Sequence, residues 1–94
     1  IEIYALRIML NDVAKKIDSG DPAPLEASIT KLYGSEAVCR VTDRAMLVFG
    51  GRSYLKNYVI ERLYRDARIN LLEEGTPTIQ RLVIARTLLG GARP

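Results

Sequence analysis

The chain reads as an all-α protein, an up-and-down helical bundle of about four helices. Apolar residues recur in steps of three and four over long stretches, and helix breakers cluster between those stretches. No segment alternates apolar and polar residues as a half-buried strand does. The core should be aliphatic, since hydrophobic residues make up 48% of the chain with one Phe and no Trp.

Residues 1–19 carry Ile3, Leu6, Leu10, Val13 and Ile17 at helical spacing. That predicts a helix with one apolar stripe, suited to packing against another helix. Ser19-Gly20-Asp21-Pro22-Ala23-Pro24 ends it, and the two prolines prevent a new helix before Leu25. A second helix over residues 25–49 would be about 36 Å long at 1.5 Å per residue. Gly34, Val38, Val41, Ala45 and Val48 form its stripe, while Ala27, Gly34 and Ser35 leave room for a neighbour to approach closely. Cys39 falls in or beside this core as a small apolar residue.

Gly50-Gly51-Arg52-Ser53 stops the long helix. The glycine pair has two readings: a flexible C-terminal stop, or bare backbone approached by a phosphate or ring system, with Arg52 adding charge. Residues 54–56 then form a short connection, and Asn57 caps a third helix of about three turns. Its arginines, Arg62, Arg65 and Arg68, lie three apart. Arg65-Asp66-Ala67-Arg68 reads as a salt-bridged helix end that fixes the following loop. A fourth helix over residues 77–89 should bury Ile79, Leu82, Val83 and Leu89. Gly90-Gly91 ends it and leaves a frayed tail to Pro94.

At 94 residues the chain is one domain or part of one. It begins at Ile1 inside a helical pattern, as a piece of something longer would. The net charge of +3 is too small to imply nucleic acid. The charge is uneven: residues 1–50 hold 6 basic and 7 acidic groups, residues 51–94 hold 8 and 4. A basic second half can face phosphates, an acidic partner or water. No apolar run approaches the roughly 20 residues of a membrane span, and no signal peptide is visible. Cys39 is the only cysteine, which excludes an internal disulfide and points to a reducing compartment. Without His or a second Cys, no metal site is expected.

Leu72-Glu73-Glu74-Gly75-Thr76-Pro77 joins the last two helices and can be read two ways. As a turn, Gly75 relaxes the backbone, Thr76 caps the next helix and Pro77 fits its first turn. As a site, the loop holds a carboxylate base and the glycine aims it into a cavity.

Longer stretches tip that balance. Lys31-Leu32-Tyr33-Gly34-Ser35-Glu36 and Phe49-Gly50-Gly51 come first, then Val59-Ile60-Glu61-Arg62 running on through Ile69. Glu74-Gly75-Thr76 and Ile79-Gln80-Arg81-Leu82-Val83-Ile84-Ala85-Arg86 follow in order. Together they resemble the end of an acyl-CoA dehydrogenase, over nearly the whole chain. The resemblance implies most of the C-terminal helical domain of an FAD-dependent enzyme, spanning residues 1–94. The family's N-terminal helical domain, its middle β-domain and the first helix of the C-terminal domain would lie outside it.

By that resemblance Glu74 is the catalytic base. It would remove the pro-R α-proton of an acyl-CoA thioester while the β-hydrogen leaves as hydride to flavin N5. Desolvation in a water-poor pocket would raise its pKa towards neutrality and strengthen it as a base. Its backbone N–H would help polarise the thioester carbonyl. Gly75 would let the acyl chain pass close to the backbone. Thr76 and Thr78 match positions that touch FAD, and Gly50 and Gly51 match the turn that contacts the FAD of a neighbouring subunit. The resemblance therefore implies identical subunits as a dimer or tetramer, with electron-transfer flavoprotein as redox partner. The setting would be intracellular, either bacterial cytoplasm or mitochondrial matrix.

Two residues depart from the family pattern. Leu47 stands where a glutamine usually bonds the neighbour's cofactor. Glu73 replaces an aromatic residue that usually lines the substrate cavity beside the base. It either points to solvent, as loop glutamates commonly do, or raises the pKa of Glu74 by like-charge repulsion. Leu47 also motivates a second reading, a non-catalytic or paired subunit that keeps the fold for assembly. An acyl-CoA oxidase is a third.

Overall fold

The computed structural model describes residues 1–90. They form four α-helices: α1 over Glu2–Asp18, α2 over Pro24–Phe49, α3 over Val59–Ala67 and α4 over Pro77–Leu88. Short 3₁₀ turns occupy Gly50–Tyr54 and Arg68–Leu71, and no strand occurs among the described residues. The all-α expectation holds. Gly90 follows α4 with φ +68, whereas Gly91 and the expected frayed tail lie outside the described residues.

Helix α2 is the spine, with α1, α3 and α4 all packed on it. Charged pairs fix the directions. Glu2, at the start of α1, pairs with Arg40 at 2.5 Å and Arg44 at 3.0 Å, while Lys16 near its end pairs with Glu26 at 2.6 Å. α1 and α2 are therefore antiparallel. α3 also runs back along α2: Cys39 Sγ lies 3.5 Å from the Ala67 carbonyl, and Lys31 Nζ donates to the Asn70 carbonyl at 2.5 Å.

Packing is tightest where the sequence is small. Ala37, Ile60 and Ala67 are buried together with Thr30 and Ser35. A Cβ added to Gly34 would stand 3.1 Å from Leu6 Cδ1, so α1 and α2 meet there closely. The predicted stripes are only half covered, which corrects several expectations. Leu6, Val13 and Val83 are half-buried, but Ile3, Leu10, Ile17, Val48, Ile79, Leu82 and Leu89 are exposed. Each outer helix packs chiefly on α2, and one neighbour covers only part of an apolar stripe about 100° wide. The radius of gyration is 16.1 Å, against about 12 Å for a compact domain of this length.

Three local expectations also change. α2 begins at Pro24, a position that needs no N–H, and Asp21 Oδ1 accepts the Ala23 N–H just before it at 2.9 Å. α3 begins at Val59 after Tyr58, with no side-chain cap, so Asn57 does not cap it. Arg65 pairs with Glu61 one turn back at 3.1 Å rather than with Asp66; an i,i+4 neighbour on a helix is within reach whereas an adjacent residue faces elsewhere.

Candidate active site

The loop between Leu71 and Pro77 is built by local chemistry. Thr76 is extended, and its Oγ1 accepts the Ile79 N–H at 3.5 Å, while Pro77 takes the first position of α4. Both features follow the turn reading. The structure adds something the sequence did not announce: Glu74 itself has φ +53, beside Gly75 at +95. A left-handed backbone is ordinary for glycine and uncommon for glutamate.

Both ends of the loop are tied to one stretch of α2. Upstream, Lys31 Nζ holds the Asn70 carbonyl. Downstream, Arg81 pairs with Glu36. Inside the loop, Gln80 Nε2 donates to the Glu74 carbonyl at 3.0 Å. None of these three contacts was assigned a role from sequence, although Lys31, Glu36, Gln80 and Arg81 all fall in the quoted motifs. A side chain reaching a carbonyl 6 or 39 positions away leaves no periodic trace.

Glu73 and Glu74 are both exposed, while Gly75 and Thr76 are half-buried and Thr78 is exposed. Glu73 also lines a groove of about 480 Å³ with Lys31, Asn70 and the apolar side chains of Leu6, Leu10 and Val13. Glu73 thus meets solvent at the rim of an apolar groove. These helices alone do not build the water-poor pocket expected around Glu74.

Gly50 and Gly51 lie elsewhere. Gly50 closes α2 with φ +62, and nothing stands within 4 Å of where a Cβ would be at either glycine. Leu47, one turn earlier, is 77% exposed. Lys31 and Gly50 are nineteen residues apart along α2, or about 28 Å at 1.5 Å per residue. Glu73, Glu74, Gly75, Thr76 and Thr78 therefore share one corner of the molecule, and the glycine pair sits at the other end of the spine. No cluster of metal-ligating side chains occurs among the described residues.

The profile of the acyl-CoA dehydrogenase C-terminal domain matches residues 1–89. The chain belongs to the acyl-CoA dehydrogenase family. It is 41% identical over 93 residues to the mitochondrial short-chain specific acyl-CoA dehydrogenase of Bos taurus, covering 99% of this chain and 23% of that protein. It is 35% identical over 88 residues to a subunit of the caffeyl-CoA reductase–Etf complex of Acetobacterium woodii, covering 94% and 23%. The solved structure of butyryl-CoA dehydrogenase from Megasphaera elsdenii superposes with a TM-score of 0.90 at 36% identity, again covering 94% and 23%. The chain thus spans about a quarter of the length of these acyl-CoA dehydrogenase relatives.

Proposed function

We propose that residues 1–94 are most of the C-terminal helical domain of an FAD-dependent acyl-CoA dehydrogenase in which Glu74 is the catalytic base. The observation that carries this is the backbone at Glu74. A glutamate at φ +53, on a loop anchored to α2 at both ends, stores strain of about 1–3 kcal/mol. Strain of this kind clusters at active sites, ligand clamps and switch regions. The carboxylate would take the α-proton of an acyl-CoA thioester. The electron pair of that C–H bond becomes the second bond between the α- and β-carbons as the β-hydrogen leaves with its own pair. The Glu74 N–H would stabilise negative charge on the thioester oxygen. Protein beyond these residues would close over the exposed carboxylate and strengthen it by desolvation.

Bound FAD would supply the acceptor for the departing hydride. The residues fit such a group. Gly50 and Gly51 offer open backbone at the end of α2, and Thr76 and Thr78 carry hydroxyls at the start of α4. Leu47 is the exception, an apolar side chain exposed in the same region. Gly75 allows close approach of the acyl chain, and Glu73 stands at the groove rim. Identical subunits would complete the site around the glycine pair. A relative that belongs to an Etf complex supports electron-transfer flavoprotein as partner. The setting would be intracellular, with the other domains on the same chain.

That relative also favours a second reading, in which the site runs in reverse and Glu74 delivers a proton to the α-carbon of an enoyl thioester. The absorption spectrum of the full-length protein tests both. Bleaching of a flavin band by saturated acyl-CoAs supports the dehydrogenase. Reoxidation of the reduced flavin by enoyl-CoA, with no bleaching by saturated thioesters, supports the reductase. A protein without flavin would overturn both readings and leave a non-catalytic subunit.

A further inference from the structure

We propose that Gln80 is the positioning residue for Glu74, its side-chain amide folding back over Gly75 to hold the Glu74 carbonyl and with it the left-handed turn. The inference rests on reading Glu74 as the base, and it assigns the residue that keeps that base aimed. Gln80 Nε2 donates to the Glu74 carbonyl oxygen at 3.0 Å. This carbonyl belongs to the peptide that joins Glu74 to Gly75, so fixing its oxygen holds the peptide plane between the two left-handed residues.

The anchor is itself held. Gln80 is half-buried in the first turn of α4, and its own backbone N–H donates to the Thr76 carbonyl at 2.9 Å. The next residue, Arg81, pairs with Glu36 on the spine. The amide is thus carried by a helix that packs on α2 and is tied to it by this pair.

Gly75 is the third member of the arrangement. A Cβ there would stand 2.6 Å from Gln80 Nε2, far inside contact distance. Glycine at this position does more than permit φ +95. It leaves the space that the glutamine amide fills. Base, glycine and amide form one unit, in which the helix reaches over the glycine to steer the residue before it.

Gln80→Met tests this in the full-length flavoprotein, since it keeps the length of the side chain and removes the donor. Flavin reduction is followed by stopped-flow at saturating acyl-CoA, alongside flavin content, melting temperature and the dissociation constant of a non-reactive acyl-CoA thioether. The expected result is a fall of about tenfold or more in the reduction rate, the scale of a small misplacement of a reacting group. Flavin content, melting temperature and thioether affinity should stay within about twofold or about two degrees of the parent. Gln80→Ala, which removes the side chain without overpacking, is read in the same way should Gln80→Met not fold. An unchanged rate in the folded variant overturns the inference, and so does a rate loss matched by equal loss of flavin or thermal stability. Glu74→Gln in parallel separates the two claims. A dead Glu74→Gln with a fully active Gln80→Met sinks only the positioning role, whereas an active Glu74→Gln sinks the base as well.

Discussion

Arg81 on α4 pairs with Glu36 on α2, one helical turn from Arg40, whose guanidinium lies 3.9 Å from the same carboxylate. This pair ties the downstream end of the Glu74 loop to the spine. Its partner at the upstream end is the Lys31 bond to the Asn70 carbonyl. The Arg81 side chain is 57% exposed, so the pair should contribute only about 0.2–1 kcal/mol to stability. Arg81→Met should therefore lower the melting temperature of the full-length protein by no more than a few degrees. Limited proteolysis is the sharper measurement, with earlier cutting in residues 72–76 expected in the variant. Equal cutting rates would mean that the loop is held without this pair.

Leu47 gives the next prediction. It is 77% exposed, next to exposed Val48 and Phe49 at the glycine end of α2. Leu47→Gln in the full-length protein should add a net hydrogen bond to the cofactor, worth about 1 kcal/mol. Flavin loss on dilution should slow by roughly fivefold. Unchanged or faster loss would place Leu47 away from the cofactor.

Acid should loosen the α1–α2 pair through Glu2. The Arg40 guanidinium bonded to this carboxylate, with Arg44 beside it, holds its pKa below the ordinary glutamate value despite some desolvation. A carboxylate whose folded pKa is depressed stabilises the fold fully above its unfolded value and loses that contribution as pH falls through the folded one. The stability difference between the parent and Glu2→Gln should thus be constant near neutrality. It should shrink below about pH 4.3. Hydrogen exchange of α1 amides at several pH values measures it, and a difference that grows on acidification would reverse the sign.

Much of this was legible in the sequence because it is local. Helix periodicity, the Gly20–Pro24 breaker, the Gly50 stop and the Thr76-Pro77 start all depend on neighbours a few residues away. What periodicity cannot give is how wide a partner covers a stripe. Ile3 and Leu10 sit on the predicted face of α1, yet they are exposed because α1 packs chiefly on α2. The loop residues could be named, but the conformation of Glu74 could not, since φ +53 is uncommon for a glutamate and the glutamine bonded to its carbonyl lies six positions later. Lys31 was visible only as part of a motif, because its partner Asn70 is 39 positions away.

Glu74→Gln in the full-length protein is the decisive comparison for the site. Glutamine keeps the size of the side chain and the backbone N–H, and the Gln80 bond goes to the main-chain carbonyl, which the substitution leaves in place. Flavin content, oligomeric state and acyl-CoA affinity should therefore survive. What disappears is basicity, since an amide cannot take the α-proton. General-base assistance typically contributes 10²–10⁴ in rate, so flavin reduction followed by stopped-flow should fall by at least about two orders of magnitude. Glu73→Gln, at the groove rim, should change the rate by less than about tenfold, or ~1.4 kcal/mol of barrier. An inactive Glu73→Gln beside an active Glu74→Gln would shift the register of the loop by one residue. Activity in both would move the base to another part of the protein and leave the strained backbone at Glu74 without a catalytic purpose.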